Sequence, residues 1–125
     1  MSYKPDGYTD LAAYLLVPDP EAVLRFCETV FDGARLRVMQ DGARIMHAEI
    51  RIGDTVLMIG GMEGAPPTML HLYISDPDAA FARALEAGAE EIQPMREEGD
   101  GDRRGGFRSP CGTQWYVARQ VQSAA

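Results

Sequence analysis

The same short phrase occurs twice in this chain. "LLVPDPEAVLRF" fills residues 15–26 and "YISDPDAAFARAL" fills residues 73–85, and their lead acids, Asp19 and Asp76, stand 57 positions apart (76 − 19). Each phrase runs from an apolar, strand-like segment into Asp-Pro-acid-Ala and then into a helical pattern. Such a unit cannot bury both its helix and its sheet well when alone. A chain of 125 residues that repeats it is constrained to build two copies within one domain. We expect a single domain over 1–125, with module one at about 9–60, a linker at 61–68 and module two at about 69–120.

The local signals support two βαβββ modules, an α+β fold. Segment 11–17 has strand length. Asp19 suits an N-cap, Pro20 the first helical position, and Glu21 the positive end of the helix dipole. Val23, Phe26, Cys27, Val30 and Phe31 recur at helical spacing, and Gly33 is placed to end the helix. Three strand-like runs follow near 34–40, 43–52 and 55–60, parted by the hairpin signals Asp41-Gly42 and Gly53-Asp54. "GGMEGAPP" at 60–67 reads as a linker. The second module repeats the cap at Asp76-Pro77, the apolar stripe at Phe81, Ala84 and Leu85, and the stop at Gly88. After "EEIQPM" the pattern predicts a long loop over "REEGDGDRRGG", a short strand "GFRS", a turn at "PCG" and a last strand "TQWYVAR". The middle strands of module two are expected to be the shorter ones.

Several function classes are excluded by bulk chemistry. The formal charge of −7 argues against nucleic acid or an anionic membrane as partner and suits a cationic ligand. No apolar run approaches the roughly 20 residues of a membrane span. The polar start "MSYKPDGYTD" carries no signal-peptide pattern, so the cytoplasm is expected. Cys27 and Cys111 form no metal motif and are expected as free thiols. Asp100 and Asp102 have calcium-loop spacing without the remaining ligands, and no GxxxxGK[ST] marks a phosphate cradle.

Paired βαβββ modules with this strand-Asp-Pro-helix opening resemble the vicinal oxygen chelate superfamily, which includes glyoxalase I, extradiol dioxygenases and bleomycin-resistance proteins. "MHAEIRIGDTVLMIGG" at 46–61 is similar to the third and fourth strands of its glyoxalase/bleomycin-resistance branch, and "GDRRGGFRSPCGTQWYVA" at 101–118 to its closing stretch. The resemblance covers about residues 9–120. Ser109 and Thr113 depart from it, standing where the family often has Asp and His. Metal-using members place His or Glu on the first and last strands of each module. Carried onto this chain, those positions fall on Ala12, Met58, Met69 and Tyr116. None suits the hard divalent ions those enzymes use. The resemblance therefore implies a member without the usual metal and with no cofactor, and it implies a homodimer.

Strand alternation assigns the cleft side. Ala12, Tyr14 and Leu16 are expected there, with Ile45, His47, Glu49 and Arg51, then Met69, His71 and Tyr73, then Gln114 and Tyr116. Leu70, Leu72, Ile74, Met46, Ala48, Ile50, Ile52, Trp115 and Val117 fall on the helix side. Met58, Met62 and Met69 read equally as an adaptable binding surface or as core filling. Tyr14, Tyr73 and Tyr116 read equally as stacking groups or as packing. His47 and Glu49, two residues apart, share one face and can form a general-base dyad; an ion pair of Glu49 with Arg51 is the plainer reading. With His71 they are the weak catalytic candidates, and a displaced metal pair of His47 and His71 with Glu49 is a further alternative. The plainer reading of residues 99–106 is a solvated, mobile loop over the cleft mouth; the alternative is that Arg103, Arg104 or Arg108 clamps an anionic group there.

The expected function is metal-independent binding or sequestration of a small organic ligand, with no nucleic acid and no membrane involved. The lining is Tyr14, His47, Glu49, Met58, Met69, His71, Tyr73, Arg108, Gln114 and Tyr116. The alternatives are a glyoxalase-like lyase, isomerase or dioxygenase using a displaced metal or metal-free acid–base chemistry, and a protein whose paired modules serve only association.

Overall fold

Both repeated aspartates start helices. In the computed structural model, which describes residues 3–122, the Asp19 carboxylate accepts from the Ala22 amide at 3.3 Å and the Asp76 carboxylate from the Ala79 amide at 3.1 Å. Each satisfies an amide that the first helical turn leaves without a partner. The first unit, which ends at Pro66, runs β1 (Tyr14–Val17), α1 (Pro20–Phe31), β2 (Ala34–Asp41), β3 (Arg44–Ile52) and β4 (Thr55–Gly61). The second, from Pro67, runs β5 (Met69–Tyr73), α2 (Pro77–Glu86), β6 (Glu90–Glu97), β7 (Asp102–Arg108), a tight turn over Pro110–Gly112 and β8 (Gln114–Gln120).

Each unit is one mixed four-stranded sheet with a helix on one face, so the fold is α+β with paired βαβββ modules. The strand orders are β1-β4-β3-β2 and β5-β8-β7-β6, with the first strand parallel to the last and the other pairs antiparallel. On the helix side of the first unit, Leu15, Val17, Ala48, Ile50 and Ile59 are buried together with Val23, Leu24, Cys27 and Val30 of α1. On that side of the second, Phe107, Trp115 and Val117 are buried with Ala80 and Ala84, and the Phe81 ring meets Phe107 edge-on at 6.0 Å. The opposite face of each sheet carries the groups of functional interest.

Three local expectations are corrected. Asp32, not Gly33, takes the left-handed turn after α1 (φ 56°); Gly33 is glycine for clearance, because a Cβ there would stand 2.8 Å from Ile50 Cδ1. Met39 pairs with His47 while Gln40 pairs with Ile45, which leaves Met46 as a bulge. The bulge shifts the alternation by one residue. Ile45 is therefore 6% exposed and Met46 46% exposed, the reverse of the pattern predicted for the two. Finally, "REEGDGDRRGG" is not a long loop. Residues 102–108 form a full strand between β6 and β8, so β6 and β7 span eight and seven residues and the middle strands of module two are not short. Arg103 and Arg104 sit on that strand.

Candidate functional site

The open face of the first sheet is organised around one buried carboxylate. Register places Tyr14, Met58 and Glu49 side by side across β1, β4 and β3, and Leu16, Gly60 and His47 in the next row. Glu49 is 5% exposed. Its Oε2 lies 2.8 Å from His47 Nε2, and its Oε1 accepts a hydrogen bond from the Tyr8 hydroxyl. The other ring nitrogen of His47, Nδ1, lies 2.9 Å from the Tyr14 hydroxyl. Burial works to raise the Glu49 carboxyl, but the hydrogen bonds from His47 and Tyr8 outweigh it and hold it below the ordinary carboxylate value. The same bond raises the Tyr8 phenol. Arg51 does not pair with Glu49; its guanidinium donates to the Gly7 carbonyl at 2.7 Å. The segment before β1 is thus fastened over this face at Gly7 and Tyr8.

Gly60 makes the arrangement possible. A Cβ at this position would stand 2.9 Å from Tyr14 Cε1 and 3.0 Å from its hydroxyl. The tyrosine ring lies in the space that the missing side chain leaves, and from there its hydroxyl reaches His47.

The open face of the second sheet is organised around a cation. Register aligns Met69, Gln114 and Arg108 in one row, His71, Tyr116 and Gly106 in the next, and Tyr73, Ala118 and Arg104 in the third. Arg104 donates to His71 Nε2 at 3.1 Å, to Asp100 at 2.8 Å and to Asp102 at 2.6 Å. Asp102 is buried and also accepts from the Tyr73 hydroxyl at 2.7 Å. Burial and the nearby Arg104 charge lower the His71 imidazole. A cleft of about 630 Å³ opens beside Tyr73, Asp100, Asp102 and Arg119. Arg108 pairs with Glu90 at 3.3 Å and Arg103 with Asp78 at 2.8 Å, and both stand on β7 rather than on a loop.

The four positions carried over from the metal-using members do not suit a metal. Ala12, Met58, Met69 and Tyr116 offer no carboxylate or imidazole, and register confirms that Met58 and Tyr116 are matching positions, as partners of Tyr14 and His71. Among the described residues no three His, Cys, Asp or Glu side chains converge as a metal site requires. In the displaced set, both nitrogens of His47 and both oxygens of Glu49 take part in hydrogen bonds within the chain, and His71 Nε2 accepts from Arg104.

Tyr8, Gly60, Asp100 and Asp102 were not selected as site residues by sequence pattern. Tyr8 lies 41 positions from Glu49, and no local signal links the two. Gly60 has one: a glycine inside an apolar strand marks close approach by another group. Asp102 stands on the same face as Arg104 two residues on, which alternation exposes once the segment is read as a strand.

Residues 10–117 match the Glyoxalase/Bleomycin resistance protein/Dioxygenase superfamily. A Mycobacterium bovis protein described as uncharacterized is 33% identical over 127 residues, 90% of this chain and 84% of its own length. The crystal structure of TioX from Micromonospora sp. ML1 superposes with a TM-score of 0.78 at 24% identity, covering 90% of this chain and 99% of TioX. The fosfomycin resistance protein FosX from Mesorhizobium loti gives 0.69 at 19%, covering 90% and 92%. Lactoylglutathione lyase from Agrobacterium tumefaciens gives 0.71 at 13%, covering 92% and 94%. At these identities the solved structures show a shared fold. No helix among the described residues is long and apolar enough to cross a membrane.

Proposed function

The chain belongs to the Glyoxalase/Bleomycin resistance protein/Dioxygenase superfamily, and from that premise we propose that it binds a small aromatic or cationic organic ligand on its open sheet faces, without the superfamily's metal. The observation that carries this reading is the exposure of large apolar side chains beside anchored polar groups on those faces. Tyr14 is 49% exposed, and Met69 and Tyr73 are each 62% exposed, next to Glu49, His47 and Asp102. On each sheet, exposed apolar groups mark a binding surface, and a few fixed polar groups beside them supply orientation. Tyrosine and methionine suit an aromatic body. The formal charge of −7 favours a cation. Homodimer formation and a cytoplasmic setting belong to the same proposal.

The fold hosts many activities and does not select among them; FosX is named for fosfomycin resistance and another neighbour is a lyase. The test is direct. Metal content is measured on protein purified without a chelator or histidine tag, and ethidium and acriflavine are then titrated by fluorescence with and without EDTA. The expected result is no stoichiometric metal, saturable binding indifferent to EDTA, and a loss of roughly tenfold in affinity on Tyr73→Ala. About one metal per chain surviving dialysis, or no saturable binding of either cation, would overturn the proposal.

A further inference from the structure

Glu49 is a hydrogen-bond acceptor only, since its carboxyl is held ionised. The proton between it and His47 therefore belongs to Nε2 of the histidine. In a neutral imidazole this leaves Nδ1 with a lone pair, and the group 2.9 Å from that lone pair is the Tyr14 hydroxyl. Tyr14 then donates to His47, and its own oxygen keeps lone pairs free to accept, on a side chain that is half-exposed. The Glu49 carboxylate is in turn fixed by Tyr8, and Arg37 on β2 adds a favourable charge nearby. Gly60 leaves the space in which the Tyr14 ring reaches this position.

A terminal hydroxyl, a base within hydrogen-bond reach and a carboxylate that orients the base are the parts of a proton-transfer device. The repeat does not require it. The second unit has His71 where the first has Tyr14, and Gly106 where the first has Glu49. Nor does packing alone explain it, because Tyr14 is half-exposed and His47 is not sealed from solvent.

We propose that Tyr14, His47 and Glu49 form a general-base relay, with Tyr14 as the catalytic residue that removes an acidic proton from an aromatic ligand resting on the open face of the first sheet. In the step, the ligand's proton passes to Tyr14 Oη while the phenolic proton passes to His47 Nδ1. The resulting imidazolium keeps its Nε2 proton toward Glu49, which stays ionised. His47 returns its proton to solvent or to the product, so the chain ends unchanged and no oxidant or reductant is needed. Glu49 and Tyr8 are positioning residues, because they act through His47. The class of reaction is elimination or isomerisation started by loss of a proton.

The probe is 5-nitrobenzisoxazole. Loss of its C3 proton forms the nitrile as the N–O bond breaks and releases a coloured 2-cyano-4-nitrophenolate, so only a base is required. The full chain is expected to accelerate this above buffer. Tyr14→Phe keeps the ring and removes the hydroxyl, and it should lower the rate at least tenfold, within the range ascribed to general bases. His47→Gln should do the same, whereas Tyr3→Phe, an exposed tyrosine bonded to Asp10, should not. If Tyr14→Phe is as fast as the parent, or the parent is no faster than buffer, the relay is wrong. Glu49→Gln risks the fold, so the positioning role is read on the unaltered protein by nitrogen NMR of His47. A proton on Nε2 with Nδ1 bare is expected, and the opposite tautomer would overturn the assignment. The probe is uncharged, so failure of cation binding with this activity intact would remove the proposed ligand class and leave the relay standing.

Discussion

Five residues before its capping aspartate the first unit carries Tyr14, and at the same distance the second carries His71. The same comparison can be made along the whole open face. Met58 matches Tyr116, His47 matches Arg104, and Glu49 matches Gly106. The first face centres on a carboxylate that receives hydrogen bonds from an imidazole and a phenol. The second centres on a guanidinium that donates to an imidazole and two carboxylates. The helix sides tell the opposite story, with caps, apolar stripes and strand order all repeated. Duplication is thus retained where burial dictates the residues and abandoned on the open faces of the sheets.

The largest effect should come from removing the buried carboxylate of each face. Glu49→Ala strands His47 and Tyr8 together, and charge-assisted bonds of this kind are worth about 1.5–3 kcal/mol each before compensation by water. A loss of about 3 kcal/mol in urea unfolding is expected. Asp102→Ala should cost less, about 1–2 kcal/mol, because Arg104 keeps Asp100 as a partner. Equal losses would mean that the two faces do not differ in how many anions hold them.

Next come the glycines beneath the two tyrosines. A Cβ at Gly106 would stand 2.6 Å from Tyr116 Cε1, and one at Gly60 2.9 Å from Tyr14 Cε1. Tyr14 is the more exposed and the freer to swing away. Gly106→Ala is therefore expected to destabilise by about 2 kcal/mol and Gly60→Ala by about 1 kcal/mol. Gly60→Ala should also break the bond from Tyr14 to His47, visible as a changed His47 nitrogen signal. If that signal stays put, Gly60 is not what positions Tyr14.

Acid separates the faces further. His71 has a folded value below its ordinary 6.5, so its contribution to stability is present above pH 6.5 and is lost as pH falls through that value. Glu49 is depressed from 4.5, so its contribution is present above pH 4.5 and is lost only below it. Urea midpoints taken from pH 7.5 to 4 should decline first on account of the second unit. Arg104→Met removes the neighbouring charge and should move the His71 titration up toward 6.5 by proton NMR. An unmoved titration would assign the depression to burial alone.

These contrasts also mark how far the chain can be read in advance. Asp19, Asp76, the α1 stripe and the hairpin turns were legible, because each depends on residues within one turn of one another; the α2 stripe was legible only in part, since Leu85, read as part of it, is 38% exposed while Ala80 and Ala84 are buried. The open-face strand residues Met69, His71, Tyr73, Gln114 and Tyr116 were legible too, since alternation alone assigns them. Met46 was not, because a bulge is fixed by the partner strand rather than by its own. "DRRGGFR" has the composition of a mobile loop, yet its glycines serve packing: a Cβ at Gly105 would overlap the Met95 sulfur and one at Gly106 the Tyr116 ring. Tyr8 was invisible for a plainer reason, since nothing in a polar leading segment tells which strand residue it will meet 41 positions later.

The smallest expected effect tests whether the helix sides are as alike as they look. Asp19 and Asp76 accept the same amide three residues on, at 3.3 and 3.1 Å, and each precedes Pro and an acidic residue. Replacing either by Ala should cost about 1 kcal/mol, read as equal falls in thermal midpoint within experimental scatter. The helices behind them do differ, since Arg35 grips Glu21 and Glu28 on α1 and draws the Glu21 carboxyl down to about 2, whereas on α2 Asp78 pairs with Arg103 at the surface. If Asp19→Ala is clearly the milder change, Arg35 is holding α1 in place of its cap, and divergence has reached the helix side as well. If the two losses match while Glu49→Ala and Asp102→Ala do not, the difference between the units is confined to the open faces, where selection for a ligand would act.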